Sequence, residues 1–187
     1  AGDPCIVVAG SPNVGKSALI TALSTGEPEV AAYPFTTKRL HLGHFIHRRR
    51  KYQMVDTPGL LDRPNDQRNQ IEMQAIAALE NVGDIVLFLI DPSESGGTPL
   101  QEQMSLLREV EDLISARKII LVHSKSDLDS EESIPGAVMV SSTKSIGLEE
   151  LREKVVHEIA ADAIVDPLQL PEGWHREDTE IKEQSLD

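Results

Sequence analysis

The first chemical signal in the sequence is a glycine-rich segment between a short apolar run and a helical pattern. Residues 10–17, the P-loop, read Gly-Ser-Pro-Asn-Val-Gly-Lys-Ser and match the spacing G-x-x-x-x-G-K-[ST]. The glycines of this motif let backbone N–H groups curve around a polyphosphate, the lysine contacts the terminal phosphates, and the last hydroxyl binds Mg²⁺. We therefore expect Lys16 to be catalytic and Ser17 to be a magnesium ligand. The predicted phosphate-binding residues are Ser11, Pro12, Asn13, Val14, Gly15, Lys16, Ser17 and Ala18.

A second candidate metal ligand ends a later predicted strand. Residues 55–59 read Val-Asp-Thr-Pro-Gly. A carboxylate in this position can hold a magnesium-bound water, and the glycine is free to move toward a γ-phosphate. The pattern D-x-x-G is weak alone, but after a P-loop it is typical of regulatory GTPases. We predict that Asp56 binds magnesium and that Gly59 takes part in catalysis.

Residues 33–38 lie between these two motifs, where a first switch is expected. They read Tyr-Pro-Phe-Thr-Thr-Lys. We predict that Thr37 is the second protein ligand of magnesium and a catalytic residue. Thr36 is the alternative ligand, and an ordinary threonine-rich entry to a strand is the alternative interpretation of the segment.

The residues that would select the base follow a later apolar run, where residues 123–127 read His-Ser-Lys-Ser-Asp. Guanine is normally read by N-K-x-D, and here Ser124 replaces the asparagine. Asp127 can still accept hydrogen bonds from guanine N1–H and the exocyclic amine, and the Lys125 stem can cover the base. Because a neutral side-chain hydrogen bond contributes about 0.5–1.5 kcal/mol, we expect guanine specificity with at most a roughly tenfold loss of affinity. The predicted site also includes, after the next strand, Ser141, Ser142 and Thr143.

The elements that must position these motifs alternate between strands and helices. Segments 40–47 and 51–56 alternate as a hairpin joined by a basic turn, and the remaining strands are short apolar runs. We predict an α/β fold, namely a P-loop NTPase G domain with a six-stranded, mostly parallel sheet, one antiparallel hairpin strand, and helices on both faces. Ligands then belong at the carboxyl ends of the strands. The G domain is expected over residues 1–165 and an acidic, partly disordered C-terminal tail over 166–187.

Composition restricts the class of protein and its partners. The chain has 187 residues, 40% apolar and 3% aromatic, which suits one domain with an aliphatic parallel sheet. Its formal charge is −13, so the surface as a whole repels nucleic-acid backbones and anionic membranes. Cys5 is the single cysteine, which excludes an internal disulfide and suits a reducing cytoplasm. We expect a cytoplasmic monomer without DNA or membrane partners.

The motifs together resemble the Nog group of nucleolar GTP-binding proteins and their archaeal relatives, in the Obg-like branch of GTPases. The likeness rests on GSPNVGKS, YPFTTK, DTPGLLDRP, QRNQIEMQAIAAL and LFLIDPSE, and covers most of residues 5–151. It implies a switch that binds and hydrolyses GTP in assembly of the large ribosomal subunit, in the nucleolus if the source is eukaryotic. It further implies a pre-ribosomal large subunit, through its RNA or proteins, as partner, and a helical domain before the G domain.

Two positions bear on the rate of hydrolysis. Many small GTPases place a water-orienting glutamine after the switch-two glycine, whereas Leu60 stands here and has no hydrogen-bonding side chain. Leu61 does not replace it, so we expect slow intrinsic turnover. The resemblance implies that Asn13 helps hold a K⁺ ion against the phosphates and so contributes to catalysis. The alternatives are that Asn13 only tolerates a tight loop conformation and that the domain is a nucleotide-gated binding module with negligible hydrolysis.

A basic cluster from His47 to Lys51 stands out on this acidic chain. It includes three consecutive arginines, 48–50, at the tip of the predicted hairpin. Such a cluster can contact ribosomal RNA or can simply be a solvated turn, and the sequence leaves both interpretations open.

Overall fold

The computed structural model describes residues 2–32, 39–56, 58, 61–70, 72, 73, 76, 77, 83–115 and 117–165. The strands are β1 (Cys5–Ala9), β2 (Glu29–Ala32), β3 (Arg39–His47), β4 (Arg50–Asp56), β5 (Ile85–Ile90), β6 (Lys118–His123) and β7 (Val138–Met139). They form one sheet in the order β2-β3-β4-β1-β5-β6-β7. The helices whose bounds are described are α1 (Lys16–Leu23), α2 (Leu100–Leu113) and α3 (Leu148–Val165), and a 3₁₀ turn spans Asn65–Gln67.

Strand directions agree with the predicted mixed sheet. β1 runs parallel to its neighbours β4 and β5, and β6 and β7 continue the parallel arrangement. β3 is antiparallel to both β2 and β4, so it is the one antiparallel strand that the hairpin predicts. The part of the chain that the structure describes has seven strands, however, and the predicted number of six is wrong.

The missed strand is β2, at the edge of the sheet. It has four residues, and none of them is buried, so it lacks the alternation of apolar and polar residues that identifies a half-buried strand. It forms because its backbone pairs with β3, from Glu29 opposite Leu42 to Ala32 opposite Arg39. A pairing partner elsewhere in the chain, not local sequence, defines this element.

The core lies on both faces of the sheet. Every residue of β1 and β5 is buried, as expected for central parallel strands covered on two sides. On one face Ile6 and Val8 pack in a cluster with residues of α1 and α3. On the other face Val7 and Phe88 pack with residues of α2. The prediction of helices on both faces is therefore confirmed.

Several predicted elements have different bounds or lie outside the described residues. The strand predicted over 137–141 is only two residues long, because the chain turns and Ser141 instead forms an antiparallel bridge with Ile146. A helix predicted from Ile71, Ala75, Ala78 and Leu79 falls on residues that are not described, although 72, 73, 76 and 77 are helical. The predicted tail, 166–187, also lies outside the described residues. None of the described helices has the length and apolar character needed to cross a membrane.

The topology collects the chemical motifs at one edge. Because β1, β4, β5 and β6 run in the same direction, the residues that follow them meet at their carboxyl ends. Val8 pairs with Asp56, and Ile90 pairs with His123. The P-loop, Asp56, Asp91 and Ser124 therefore lie along a single edge of the sheet.

Candidate functional site

The shape of the P-loop depends on glycine at its two ends. Gly10 has φ +138°, and a Cβ at this position would lie 2.6 Å from the carbonyl oxygen of Leu89. Gly15 has φ +105° and directly precedes α1. Both conformations are costly for residues that carry a side chain. The loop can therefore bring its backbone close to a ligand only because both positions are glycine.

Lys16 points into the P-loop. Its Nζ donates to the carbonyl of Gly10 over 2.8 Å and to that of Ser11 over 2.9 Å, and the residue is buried. Burial lowers the pKa of Lys16, although the charges of Asp56 and Asp62 act in the opposite direction. The ammonium group thus lies among backbone groups of the loop, where phosphate oxygens would be favourable partners.

The N-terminus of α1 adds positive potential to the same place. Its first intrahelical bond runs from Leu19 N–H to the Gly15 carbonyl, and Gly15 provides no side-chain cap. The first N–H groups of a helix have no acceptor within the helix. The amides of Lys16, Ser17 and Ala18 are therefore oriented for an anion.

Ser17 and Asp56 form the candidate metal site. Ser17 Oγ donates to Asp56 Oδ2 over 3.0 Å. Asp56 is buried, and its Oδ1 has no hydrogen-bond partner among the described residues. Burial raises the pKa of Asp56, while Lys16 and the Ser17 hydrogen bond oppose this shift. A buried carboxylate oxygen without a donor is favourable for a cation, so these residues fit magnesium.

A pocket beside the P-loop contains most of the residues predicted to bind the base. We call it the base pocket, and its volume is about 220 Å³. Its lining consists of Val14, Gly15, Ala18, Ser124, Lys125, Asp127, Leu128, Ser142 and Thr143. Leu128 was missed from sequence, although an apolar side chain between two aspartates was a usable signal. It is 41% exposed and gives the pocket an apolar wall.

Asp127 is exposed, and Ser141 orients it. The fully buried Ser141 donates from Oγ to Asp127 Oδ1 over 2.6 Å. This hydrogen bond is the main reason that the pKa of Asp127 lies below its ordinary value. Asp127 is therefore ionised at neutral pH, and the side chain of Ser141 supports the carboxylate.

Ser124 is engaged within the protein. Its Oγ lies 2.7 Å from the Val14 carbonyl oxygen and 3.1 Å from that of Ile90, and the residue is buried. A hydroxyl has one hydrogen to donate. The two carbonyl oxygens share that hydrogen, which connects the loop after β6 to the P-loop and to β5. The sequence does not predict this structural role of Ser124.

Lys125 lines the base pocket, and its ammonium group contacts the P-loop. Its Nζ lies 2.7 Å from the Asn13 carbonyl oxygen, 2.8 Å from Ser95 Oγ and 2.9 Å from Asp91 Oδ2. The sequence predicts that Lys125 covers the base, and it predicts no role at the site for Asp91 or Ser95. The signal that was available is the polar segment Asp91 to Ser95, which directly follows a buried strand.

Other predicted site residues lie outside the described residues. They are Thr36, Thr37, Gly59 and Leu60. Leu61 is described and buried, and its carbonyl accepts the N–H of Gly10 over 3.1 Å. It therefore packs in the core and supports the start of the P-loop.

The sequence of this domain matches a known protein family. Residues 5–125 match the model of the 50S ribosome-binding GTPase family. The chain belongs to this family. The fold is accordingly that of a GTPase G domain.

Individual relatives agree with the family. The domain is 47% identical over 131 residues to the uncharacterised protein MJ1408 of Methanocaldococcus jannaschii. It is 45% identical over 123 residues to nucleolar GTP-binding protein 1 of Encephalitozoon cuniculi, and 31% over 179 residues to that of Saccharomyces cerevisiae. These alignments cover 70%, 66% and 87% of this chain, but only 36%, 23% and 28% of the relatives. The resemblance to the Nog group is confirmed for the GTPase domain.

Solved structures give the same result. A structure described as nucleolar GTP-binding protein 1 of Plasmodium falciparum superposes with a TM-score of 0.77 at 30% identity, covering 87% of this chain and 89% of that one. The cytosolic domain of the FeoB iron transporter of T. maritima, in a GDP form, has a TM-score of 0.66 at 25% identity and matches 84% of this chain and 64% of its own. Both likenesses extend over most of this chain.

Proposed function

We propose that this GTPase domain is a molecular switch that binds GTP, hydrolyses it slowly, and uses the bound nucleotide to control its association with the large ribosomal subunit during assembly. The observation that carries the proposal is the meeting of the P-loop, Ser17 with Asp56, and Asp127 at one edge of the sheet. A single nucleotide could therefore contact the phosphate-binding, metal-binding and base-binding residues at the same time. Calorimetry with GDP and GTP in the presence of Mg²⁺ tests this directly, and the absence of binding by both would refute it.

Phosphate binding is assigned to the P-loop, from Ser11 to Ala18, with Lys16 on the terminal phosphates. Magnesium would be held by Ser17 and Asp56, together with Thr37 or, alternatively, Thr36. The ion supplies charge neutralisation between the β- and γ-phosphates. The buried oxygen of Asp56 without a donor supports this assignment. Gly59, which follows Asp56 in the same motif, would approach the γ-phosphate.

Guanine selection is assigned to Asp127, with Lys125, Ser124, Ser142 and Thr143 around the base and Ser141 behind the carboxylate. The Asp127 carboxylate only accepts hydrogen bonds. Guanine presents two adjacent donors to it, N1–H and the exocyclic amine, and adenine does not present this pair. A competition experiment between GTP and ATP tests the assignment. Equal affinity for the two nucleotides would contradict it and would favour an ATP-using phosphotransferase.

Slow hydrolysis is proposed because Leu60 replaces the usual water-orienting glutamine. We further propose K⁺ as an activator held in part by Asn13. The Asn13 residue is exposed, and its backbone carbonyl is already bound by Lys125, so the side-chain amide is the group available to an ion. Single-turnover hydrolysis should be faster in K⁺ than in Na⁺ at equal ionic strength. Equal rates would remove potassium from the proposal without affecting nucleotide binding.

The proposed partner is the pre-ribosomal large subunit, bound by a monomer of this chain through ribosomal RNA or proteins. The family description and the nucleolar names of the relatives support it. The location proposed with it is nucleolar in a eukaryote and cytoplasmic otherwise. The arginine turn, residues 48–50, is exposed and is the candidate RNA contact. Reversing all three charges to glutamate should weaken association with large subunits, whereas Arg108→Glu, on the exposed side of α2, should not.

The second candidate function is a nucleotide-gated binding module that does not hydrolyse GTP at a useful rate. Leu60 motivates this alternative as well. Single-turnover measurements in K⁺, with and without large subunits, separate the two functions. Turnover in either condition supports the enzyme, and nucleotide-dependent association without turnover supports the module.

A further inference from the structure

The segment that follows β5 crosses to the P-loop. Its residues, 91–97, read Asp-Pro-Ser-Glu-Ser-Gly-Gly, and we call it the Asp91 loop. Its first residue is fixed by α2, because Gln103 Oε1 accepts the Asp91 N–H over 2.8 Å and Gln103 Nε2 donates to the Asp91 carbonyl over 2.9 Å. Asp91 and Gln103 are each only 1% exposed. The Asp91 carboxylate therefore starts from a rigid, buried position.

The carboxylate is fully engaged. Oδ1 accepts the N–H of Ser93 over 3.1 Å, and Oδ2 accepts Ser95 Oγ over 3.0 Å and Lys125 Nζ over 2.9 Å. Burial alone would raise the pKa of Asp91, but the hydrogen bonds from Lys125, Ser93 and Ser95 outweigh it, so the pKa is lowered. Asp91 is thus a buried anion whose cationic partner is Lys125.

Lys125 connects Asp91 to the P-loop. An ammonium group has three hydrogens, and those of Lys125 are directed at Asp91, Ser95 and the Asn13 carbonyl. Gly96 packs on the same carbonyl, since a Cβ there would lie 2.6 Å from the Asn13 oxygen. The Asp91 loop therefore supports the P-loop at Asn13 in two ways, through an ion pair and through direct backbone packing.

We propose that Asp91 is a positioning residue for guanine-nucleotide binding. It holds the Lys125 ammonium against Asn13, so that the Lys125 stem stays along the base pocket and the P-loop keeps its shape. This inference rests on the proposed function, because it concerns the same nucleotide site. Asp91 does not line the base pocket itself, and its effect on the nucleotide passes through Lys125.

The test begins with Asp91→Asn, which keeps the shape of the side chain and removes its charge. We expect GDP affinity, measured by calorimetry, to fall by about tenfold or more, which corresponds to about 1.4 kcal/mol. Asp112→Asn, which removes the same charge from the exposed side of α2, should leave the affinity unchanged. An Asp91→Asn variant that folds and binds GDP like the parent would overturn the proposal.

A double-mutant cycle distinguishes positioning from a general loss of structure. In a Lys125→Met background, Asp91→Asn should cause no further loss of GDP affinity, because the lysine through which it acts is gone. A merely structural role would weaken binding equally in both backgrounds, and that result would also overturn the proposal.

Ser95→Ala keeps the inference testable if Asp91→Asn does not fold. The change removes one acceptor of the Lys125 ammonium and leaves the buried Asp91 carboxylate in place. We expect it to weaken GDP binding roughly threefold when Lys125 is present and to cause no further loss of affinity in the Lys125→Met background. Equal affinities of the parent and Ser95→Ala would contradict the inference. If the parent itself binds neither GDP nor GTP, the proposed function fails. That result differs from every outcome above, in which the parent binds GDP and only the variants are compared.

Discussion

Ser124 donates its hydroxyl to the carbonyl of Val14 over 2.7 Å, which joins the loop after β6 to the P-loop. Both residues are buried, and they lie 110 positions apart in the sequence. The serine that departs from the usual guanine motif therefore has a defined contact of its own. Base recognition and phosphate recognition are connected by one short side chain, and the connection can be removed by deleting a single oxygen.

Replacing Ser124 with alanine should weaken both stability and nucleotide binding. The change leaves the buried Val14 carbonyl without its side-chain donor, which costs about 1–3 kcal/mol. We expect a lower free energy of unfolding in urea and about tenfold weaker GDP binding. Ser126→Ala is the matched control, because the Ser126 hydroxyl is buried without a partner among the described residues. If both variants lose the same stability, the Ser124 to Val14 bond is not the cause.

Asp56→Asn should stabilise the protein without ligand and impair its function. Burial raises the pKa of Asp56, which means that the folded state disfavours the charged form of this carboxyl. Removing the charge should therefore raise the free energy of unfolding by on the order of 1 kcal/mol. The same change removes a magnesium ligand, so Mg²⁺ should no longer enhance GTP binding. Thermal melts with and without Mg²⁺ and GTP measure both effects, and a destabilised variant would contradict the expectation.

Gly96→Ala should act on the P-loop, although residue 96 lies far from it in sequence. The added methyl would lie 2.6 Å from the oxygen and 3.0 Å from the carbon of the Asn13 carbonyl group, so one of the two backbones must move. Overpacking of this kind costs roughly 1–3 kcal/mol. We expect GDP affinity to fall by about tenfold, measured by titration with a fluorescent GDP analogue. Gly2→Ala, which has nothing within 4 Å, should bind like the parent.

Ser141→Ala should raise the pKa of Asp127. The Ser141 hydrogen bond is the largest cause of the lowered value, and a carboxyl with a depressed pKa in the folded state contributes stability that is lost as the pH falls through that pKa. Without Ser141, the Asp127 carboxylate should become protonated at a higher pH than in the parent. As the pH is lowered, the variant should therefore lose GDP affinity earlier than the parent does. Carbon-13 NMR of the carboxyl group measures the shift. Thr143→Val should give a smaller shift, since Thr143 is a lesser cause.

Much of the site could be predicted because its motifs are local. The P-loop is recognisable from eight consecutive residues, since the spacing of its glycines, lysine and serine reflects one turn and the first turn of α1. Asp56 likewise ends β4, and Asp127 lies in the loop that follows β6. The direction of parallel strands implies that such positions meet. The family, the mixed sheet and the single antiparallel strand follow from the same local patterns.

Contacts between distant segments could not be predicted in this way. β2 has no apolar periodicity and exists through its pairing with β3. The partners of Lys125 lie 112 residues away at Asn13 and in the Asp91 loop. Spacing along the chain specifies turns and periodic faces because those interactions are local, whereas which polar groups meet across loops depends on how the sheet brings its strand ends together. The sequence alone therefore determined the ligand-binding edge and its motifs, and the tertiary structure decided how the lysine, the serine and the Asp91 loop hold that edge in place.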